Sequence, residues 1–147
     1  MLDEATATIY APAERAWATL VDVERWPSWT RSVSSATALD GGPLAVGRRV
    51  RVVQPRRRPA IWTVTELDEP RRFTWSTGRP GVRLSAEHQL TPAGDAAVVV
   101  HLRLRQTGAL AVLLAPLGRR MARRYLEMEL SGLKAYVQAG YGVAPDA

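Results

Sequence analysis

Residues 96–140 read AAVVVHLRLRQTGALAVLLAPLGRRMARRYLEMELSGLKAYVQAG, and their hydrophobic period changes once, at Gly108. Before the glycine, apolar and polar residues alternate. Val98, Val100, Leu102, Leu104 and Gln106 share one face of an extended strand, and His101, Arg103 and Arg105 share the other. After it the spacing is helical to about residue 139, with Gly140 as the predicted stop. Pro116 and Gly118 predict a kink or mark the helix's true start. Two apolar arcs follow: Leu110, Leu114, Leu117, Met121 and Tyr125 first, then Leu126, Leu130, Leu133 and Val137. At about 100° per residue they lie on nearly opposite sides, so one helix must touch two different surfaces. The second arc is expected on a sheet, and the first at a cavity mouth, on short helices or on a partner chain.

Upstream, from Val33 to Thr107, helical spacing is absent and β-prone runs alternate with turn chemistry. Strands are expected near residues 32–40, 47–54, 60–67, 71–77, 83–91 and 96–107, broken by Gly41-Gly42-Pro43, Pro55 to Pro59, Asp68-Glu69-Pro70, Gly78 to Gly81 and Pro92 to Asp95. Connections this short favour an antiparallel meander, since parallel neighbours need long crossovers. Alternation places Val50, Val52, Gln54, Trp62, Val64, Phe73, Trp75, Thr77, Leu84, Ala86, His88 and Leu90 on the same inward face, with Arg and Thr on a solvated outer face. At the N-terminus a β-prone run, Ala5 to Tyr10, leads through Ala11-Pro12-Ala13-Glu14, helix-start chemistry, into a helix with Ala16, Trp17, Leu20 and Val21 on one side. Pro27 limits the next segment, Asp22 to Trp29, to a short helix or turn.

A chain of 147 residues, 46% hydrophobic and 23% charged, is one ordinary domain's worth of sequence. Zero cysteines and two histidines exclude thiolate sites, disulfides and zinc fingers, and no metal site or cofactor is expected. The formal charge is +6, from 19 arginines and Lys134. Clusters at Arg48, Arg49, Arg51, Arg56-Arg57-Arg58 and at Arg119, Arg120, Arg123, Arg124 come with no nucleic-acid-binding module, so a solvated face is expected rather than nucleic acid. The clean apolar run Ala109 to Leu117 is nine residues, well short of the roughly 20 that span a bilayer. Followed by four arginines, it has the composition of a segment touching an anionic membrane surface. A soluble, cytoplasmic protein, monomeric or homodimeric, is expected. Nucleophile elbows, phosphate loops, paired-acid motifs and dinucleotide fingerprints are absent.

Ordered along the chain are Ala11-Pro12-Ala13-Glu14 with Trp17, Asp22 through Trp26-Pro27-x-Trp29, Gly47, Trp62-x-Val64, Glu69-Pro70, His88-x-Leu90-x-Pro92, Gly108 and Leu133-Lys134. With these residues the chain resembles the START-related helix-grip (SRPBCC) superfamily, of the bacterial polyketide cyclase/dehydrase and lipid-transport type, over about residues 4–139. The resemblance implies a single α+β domain spanning 1–147. Its seven-stranded, curved antiparallel sheet would wrap a long C-terminal helix, with two short helices after the first strand and a flexible tail at 140–147. It also implies a deep, mostly apolar cavity between sheet and helix.

In such a cavity Trp26 and Trp29 would wall the mouth and Trp62 and Trp75 line the interior, because rings offer large apolar area with few rotamers to freeze. Leu102, Leu104, Leu117 and Met121 would add aliphatic surface, and Gln54, Thr77, Gln106 and Tyr125 would orient a ligand. Two functions fit. One is binding or transport of a hydrophobic or aromatic small molecule, lipid- or polyketide-like. The other is a cofactor-independent cyclase/dehydratase for aldol closure or dehydration, with His88 as general acid or base and Tyr125 or Gln106 polarising a carbonyl. His88, the inward-facing histidine, could equally be a hydrogen-bonded core residue, and no second catalytic group is evident beside it. Glu66, Asp68 and Glu69 are expected in solvent.

Overall fold

A computed structural model describes residues 1–144. The elements are β1 (Leu2–Ile9), α1 (Ala13–Val21), a 3₁₀ helix (Val23–Ser28), β2 (Ser35–Ala38), β3 (Arg49–Val53), β4 (Ala60–Asp68), β5 (Arg72–Arg79), β6 (Val82–Pro92), β7 (Val98–Thr107), α2 (Ala109–Leu113) and α3 (Ala115–Ala139). The seven strands form one curved antiparallel sheet in the order β1-β7-β6-β5-β4-β3-β2. Strands β2 to β7 are a meander, whereas β1 is placed by long-range pairing, with Leu2 opposite Arg105 and Ile9 opposite Val98. Sheet and long helix together form the helix-grip architecture that the resemblance implied.

Local chemistry explains the boundaries. The carbonyl of Pro12 accepts from the N–H groups of Arg15 (3.0 Å) and Ala16 (3.4 Å), opening α1, and Glu14 sits in the first turn, where the helix dipole favours a carboxylate. The expected turn at Asp22 to Trp29 is the 3₁₀ helix, with Pro27 inside it; the Trp26 indole N–H donates back to Leu20 O at 2.9 Å. In β4 a bulge between Val64 and Glu66 inserts one residue, which turns Leu67 inward and leaves Glu66 and Asp68 in solvent. Pro116 marks a start rather than a kink: it lies in the first turn of α3, where its missing N–H leaves no bond unmade, and Gly118 stays inside the helix. Gly140 ends α3 with an ordinary right-handed φ of −65°. The first residues of the expected tail are tied back, Val143 N–H donating to Gln138 O and the buried Gln138 amide to Ala144 O (2.6 Å); residues 145–147 lie outside the described residues.

Leu126, Leu130, Leu133 and Val137 are buried in one cluster with Ile9, Val98, Val100 and Leu102, as their shared arc demands. Each fully buried leucine stabilises the fold by roughly 1.5–3 kcal/mol. Gly132 lets α3 close onto the exit of the 3₁₀ helix, for a Cβ at that position would run into the Trp29 carbonyl. The outer face departs from expectation at β5, where Thr74 and Ser76 are buried. Both are short side chains: Thr74 sits between the longer Glu66 and Glu87 in register, and Ser76 Oγ lies 3.4 Å from Ser85 Oγ.

Candidate functional site

Between α3 and the sheet the interior divides into a filled half and an open half. In the filled half, inward residues of β4, β5 and β6 meet the 3₁₀ helix. Trp26 lies 5.2 Å from Trp29 and 5.1 Å from Trp75, ring centre to ring centre; Trp75 lies 5.5 Å from both Trp62 and Phe73. All five rings are buried. Trp26, Trp62 and Trp75, expected to line a cavity, thus pack on one another, and Leu102 is buried with them. Trp29 is buried too, but it borders two surface grooves, of about 550 Å³ beside Arg25 and about 450 Å³ beside Arg31.

His88 belongs to this half. Its ring stacks on Phe73 at 4.3 Å and stands edge-on to Trp26 at 5.5 Å, with only 3% of its side chain exposed. Its Nε2 is 3.0 Å from Glu129 Oε1 on α3, and its Nδ1 has no partner among the described residues. Glu129 is the group that sequence reasoning missed. The signal was there: at about 100° per residue it lies some 40° from Leu133, a carboxylate on the buried arc.

The open half begins one strand pair along. On β6 and β7, in register, His88 faces Leu102, Ala86 faces Leu104, and Leu84 faces Gln106. Past Ala86 the space beneath α3 opens into a cleft of about 420 Å³, floored by Val82, Leu84, Leu104 and Gln106 and roofed by Leu110, Leu114, Leu117, Gly118, Met121, Ala122 and Tyr125. The helix's first arc therefore meets this cleft, one of the surfaces expected for it. Of the expected ligand contacts, Leu104, Gln106, Leu117, Met121 and Tyr125 converge here. Thr77, opposite Leu84 on β5, and Gln54, whose carbonyl accepts from Arg57 N–H, are adjacent but outside the lining. Gln106 is held in place, its side-chain amide donating to Gly118 O at 3.3 Å. Leu110, Leu114 and Leu117 keep 40–59% of their surface, which is unusual for leucines at one site. Val112 and Leu113 on α2 are exposed and lie outside the lining.

The remaining rim is cationic: Arg56, Arg57 and Arg58 from the β3–β4 loop and Arg79 from the end of β5. The Arg57 guanidinium crosses the mouth, 5.4 Å from the Tyr125 ring centre, with Nη2 3.6 Å from Met121 Sδ. Among the described residues, no three His, Asp or Glu side chains converge as a metal site would require, and no helix is long and apolar enough to cross a membrane.

Residues 4–138 match the family model described as polyketide cyclase / dehydrase and lipid transport. No curated protein sequence matches. The fold is similar to a START superfamily protein from Mycobacterium smegmatis (18% identity, TM-score 0.77, covering 94% of this chain and 97% of that one). It is also similar to a protein from Thermus thermophilus (22%, 0.75, 95% and 99%). A third similar structure is a norcoclaurine synthase point mutant from Thalictrum flavum, in complex with a transition-state analogue (12%, 0.74, 96% and 96%). At these identities the likeness is one of fold.

Proposed function

The chain belongs to the polyketide cyclase / dehydrase and lipid transport family, and from that premise we propose that it binds a hydrophobic small molecule, lipid- or polyketide-like, in the cleft beneath the first half of α3. The observation that supports this reading is the cleft itself: about 420 Å³, with Leu110, Leu114 and Leu117 left exposed in its wall. That volume falls in the range of small-molecule sites, and Gln106 and Tyr125 supply the few polar groups such sites use for orientation. Displacement of a fluorescent lipid probe tests it, with Leu104→Trp as the variant that fills the floor. Loss of probe binding in a variant that still folds is the expected result; undiminished binding would remove the cleft from consideration.

A second reading, a cyclase or dehydratase, draws on the contact between His88 and Glu129. A carboxylate beside an imidazole is the arrangement a general acid or base uses, and Tyr125, one helical turn before Glu129, faces the cleft. Binding is the better-supported reading, because His88 is enclosed by Phe73, Trp26 and Trp75 and does not line the cleft. Turnover of a poly-β-ketone that survives His88→Ala unchanged would take His88 out of any mechanism.

A further inference from the structure

We infer that the ligand of this cleft is an amphipathic anion: an apolar body ending in a carboxylate, phosphate or sulfate. The inference rests on the binding function proposed above and adds the chemistry of the ligand's head group. Arg56, Arg57, Arg58 and Arg79 all line the cleft, and its lining contains no Asp or Glu. Among the described residues none of the four has a carboxylate partner.

Arginines such as Arg51, Arg83 and Arg105 on the outer sheet face also lack a carboxylate partner among the described residues, but they do not line the cleft; others are paired. Arg49 is clamped by Asp40 at 2.8 Å, Arg103 by Glu4 at 2.8 Å, and Arg119 and Arg123, on α3 itself, face the buried Asp3. At the cleft, by contrast, Arg57 rests on the Tyr125 ring and the Met121 thioether, contacts that hold its guanidinium over the mouth without neutralising it. Like charges gathered at one rim repel one another and raise the local potential, an arrangement relieved by an anion. Guanidinium groups bind carboxylate and phosphate oxygens through paired N–H donors, and a desolvated apolar floor strengthens such bonds.

The same cleft is also lined by Leu110, Leu114 and Leu117, which offer nothing to a phosphate and much to a hydrocarbon chain or ring. One molecule satisfying both kinds of lining is charged at one end and apolar at the other. A free fatty acid and a phosphate-headed lipid share that chemistry.

Calorimetric titration with dodecanoate, dodecyl phosphate, dodecanol and inorganic phosphate, below micellar concentrations and at low salt, separates the possibilities. Both anionic amphiphiles should bind about tenfold to a hundredfold more tightly than dodecanol, the difference expected from one or two charge-assisted hydrogen bonds. Arg57→Gln/Arg58→Gln/Arg79→Gln should abolish the difference. Arg51→Gln/Arg83→Gln/Arg105→Gln, which removes as much charge from the exposed outer sheet face, should keep it, and equal melting temperatures would show that both triple variants fold. A preference for dodecanoate over dodecyl phosphate, or the reverse, tells a fatty acid from a phosphate-headed lipid, and either result supports the inference.

Dodecanol binding as tightly as the anions would overturn the inference and leave the cleft a hydrophobic site. Failure of dodecanol, dodecanoate and dodecyl phosphate alike would overturn the binding function as well. Inorganic phosphate binding as tightly as dodecyl phosphate would show a simple anion site with no use for the apolar floor. Flotation with anionic vesicles, without binding of any monomeric amphiphile, would assign the arginines to a bilayer surface and overturn the inference too.

Discussion

The two halves of α3 cross the same sheet and treat it in opposite ways. From Leu126 to Val137 the helix buries its arc against a sheet face crowded by Phe73, Trp75, Val100 and Leu102, while Trp26 packs from the side. From Ala115 to Tyr125 it passes over Leu84, Leu104 and Gln106 with Gly118 and Ala122 on its own underside, and a cleft is left between them. The difference is one of side-chain volume. The tryptophans are all spent in the filled half, whereas the open half has small and aliphatic residues at the corresponding positions. Where volume matches the gap the interior reaches ordinary packing density; where it falls short, a binding space remains. Charge divides the same way. The filled half encloses a paired His88 and Glu129, and the open half displays arginines with no acid nearby.

Stability measurements should show the sharpest contrast. Leu130→Ala in the filled half should cost roughly 2–5 kcal/mol by urea denaturation, since it empties space that nothing else can fill. A cost below about 1 kcal/mol would mean that this half is loosely packed after all.

Two glycines of the same helix give a matched pair. Gly132→Ala pushes a methyl group into the Trp29 backbone and should destabilise by about 1–3 kcal/mol or more, read as a lower melting temperature. At Gly118 the added methyl meets the ends of the Gln106 and Met1 side chains, at 3.2 and 3.4 Å, and these need give by only a few tenths of an ångström. Gly118→Ala should therefore be neutral or stabilise by up to about 1 kcal/mol through helix propensity. Equal losses at both positions would erase the distinction between the halves.

Met121→Ala should change stability by less than about 1 kcal/mol, because Met121 is only half-buried, while weakening displacement of a fluorescent lipid probe severalfold. The reverse pattern would make Met121 a core residue and the cleft incidental.

The smallest effect lies in neither half. Asp40, on the β2–β3 connection, is held below the usual carboxylate range by the Arg49 side chain, with help from the Arg49 backbone N–H. Its contribution is complete above the ordinary aspartate value of 3.8 and is lost as the pH falls below it through the lowered native value. Asp40→Asn should flatten that acid limb slightly in pH-dependent melting. Since Asp40 is exposed, the slope removed should be small, and a large one would show that solvent does not screen the Asp40–Arg49 pair.

Much of this was legible beforehand because it is local. The alternation in β7 and the second arc of α3 are properties of a few consecutive residues, and they placed Val98, Val100, Leu130 and Leu133 on inward faces, where they are buried in the core. The first arc was equally clear as an apolar stripe. What it faced was not, because the floor under it comes from β6 and β7. Glu129 was readable as a carboxylate on a buried arc, yet its partner His88 is 41 residues away and only the sheet brings them to 3.0 Å. The tryptophans illustrate the same limit: an inward-facing ring lines a cavity or fills it according to what stands opposite, and Trp26 stands opposite Trp75.

Amino-acid order alone thus determined the element types, most inward and outward faces and the two-sidedness of α3 through backbone periodicity within one segment, and the antiparallel meander through the shortness of the connections. Tertiary structure alone decided where the interior is full and where it is open, and which arginines are neutralised. Arg57 follows β3, and Met121 and Tyr125 lie more than sixty residues later on α3; they share a rim only because the curved sheet folds that loop against the helix. Space and charge between elements are sums over residues distant in sequence, and no periodicity within one element contains them.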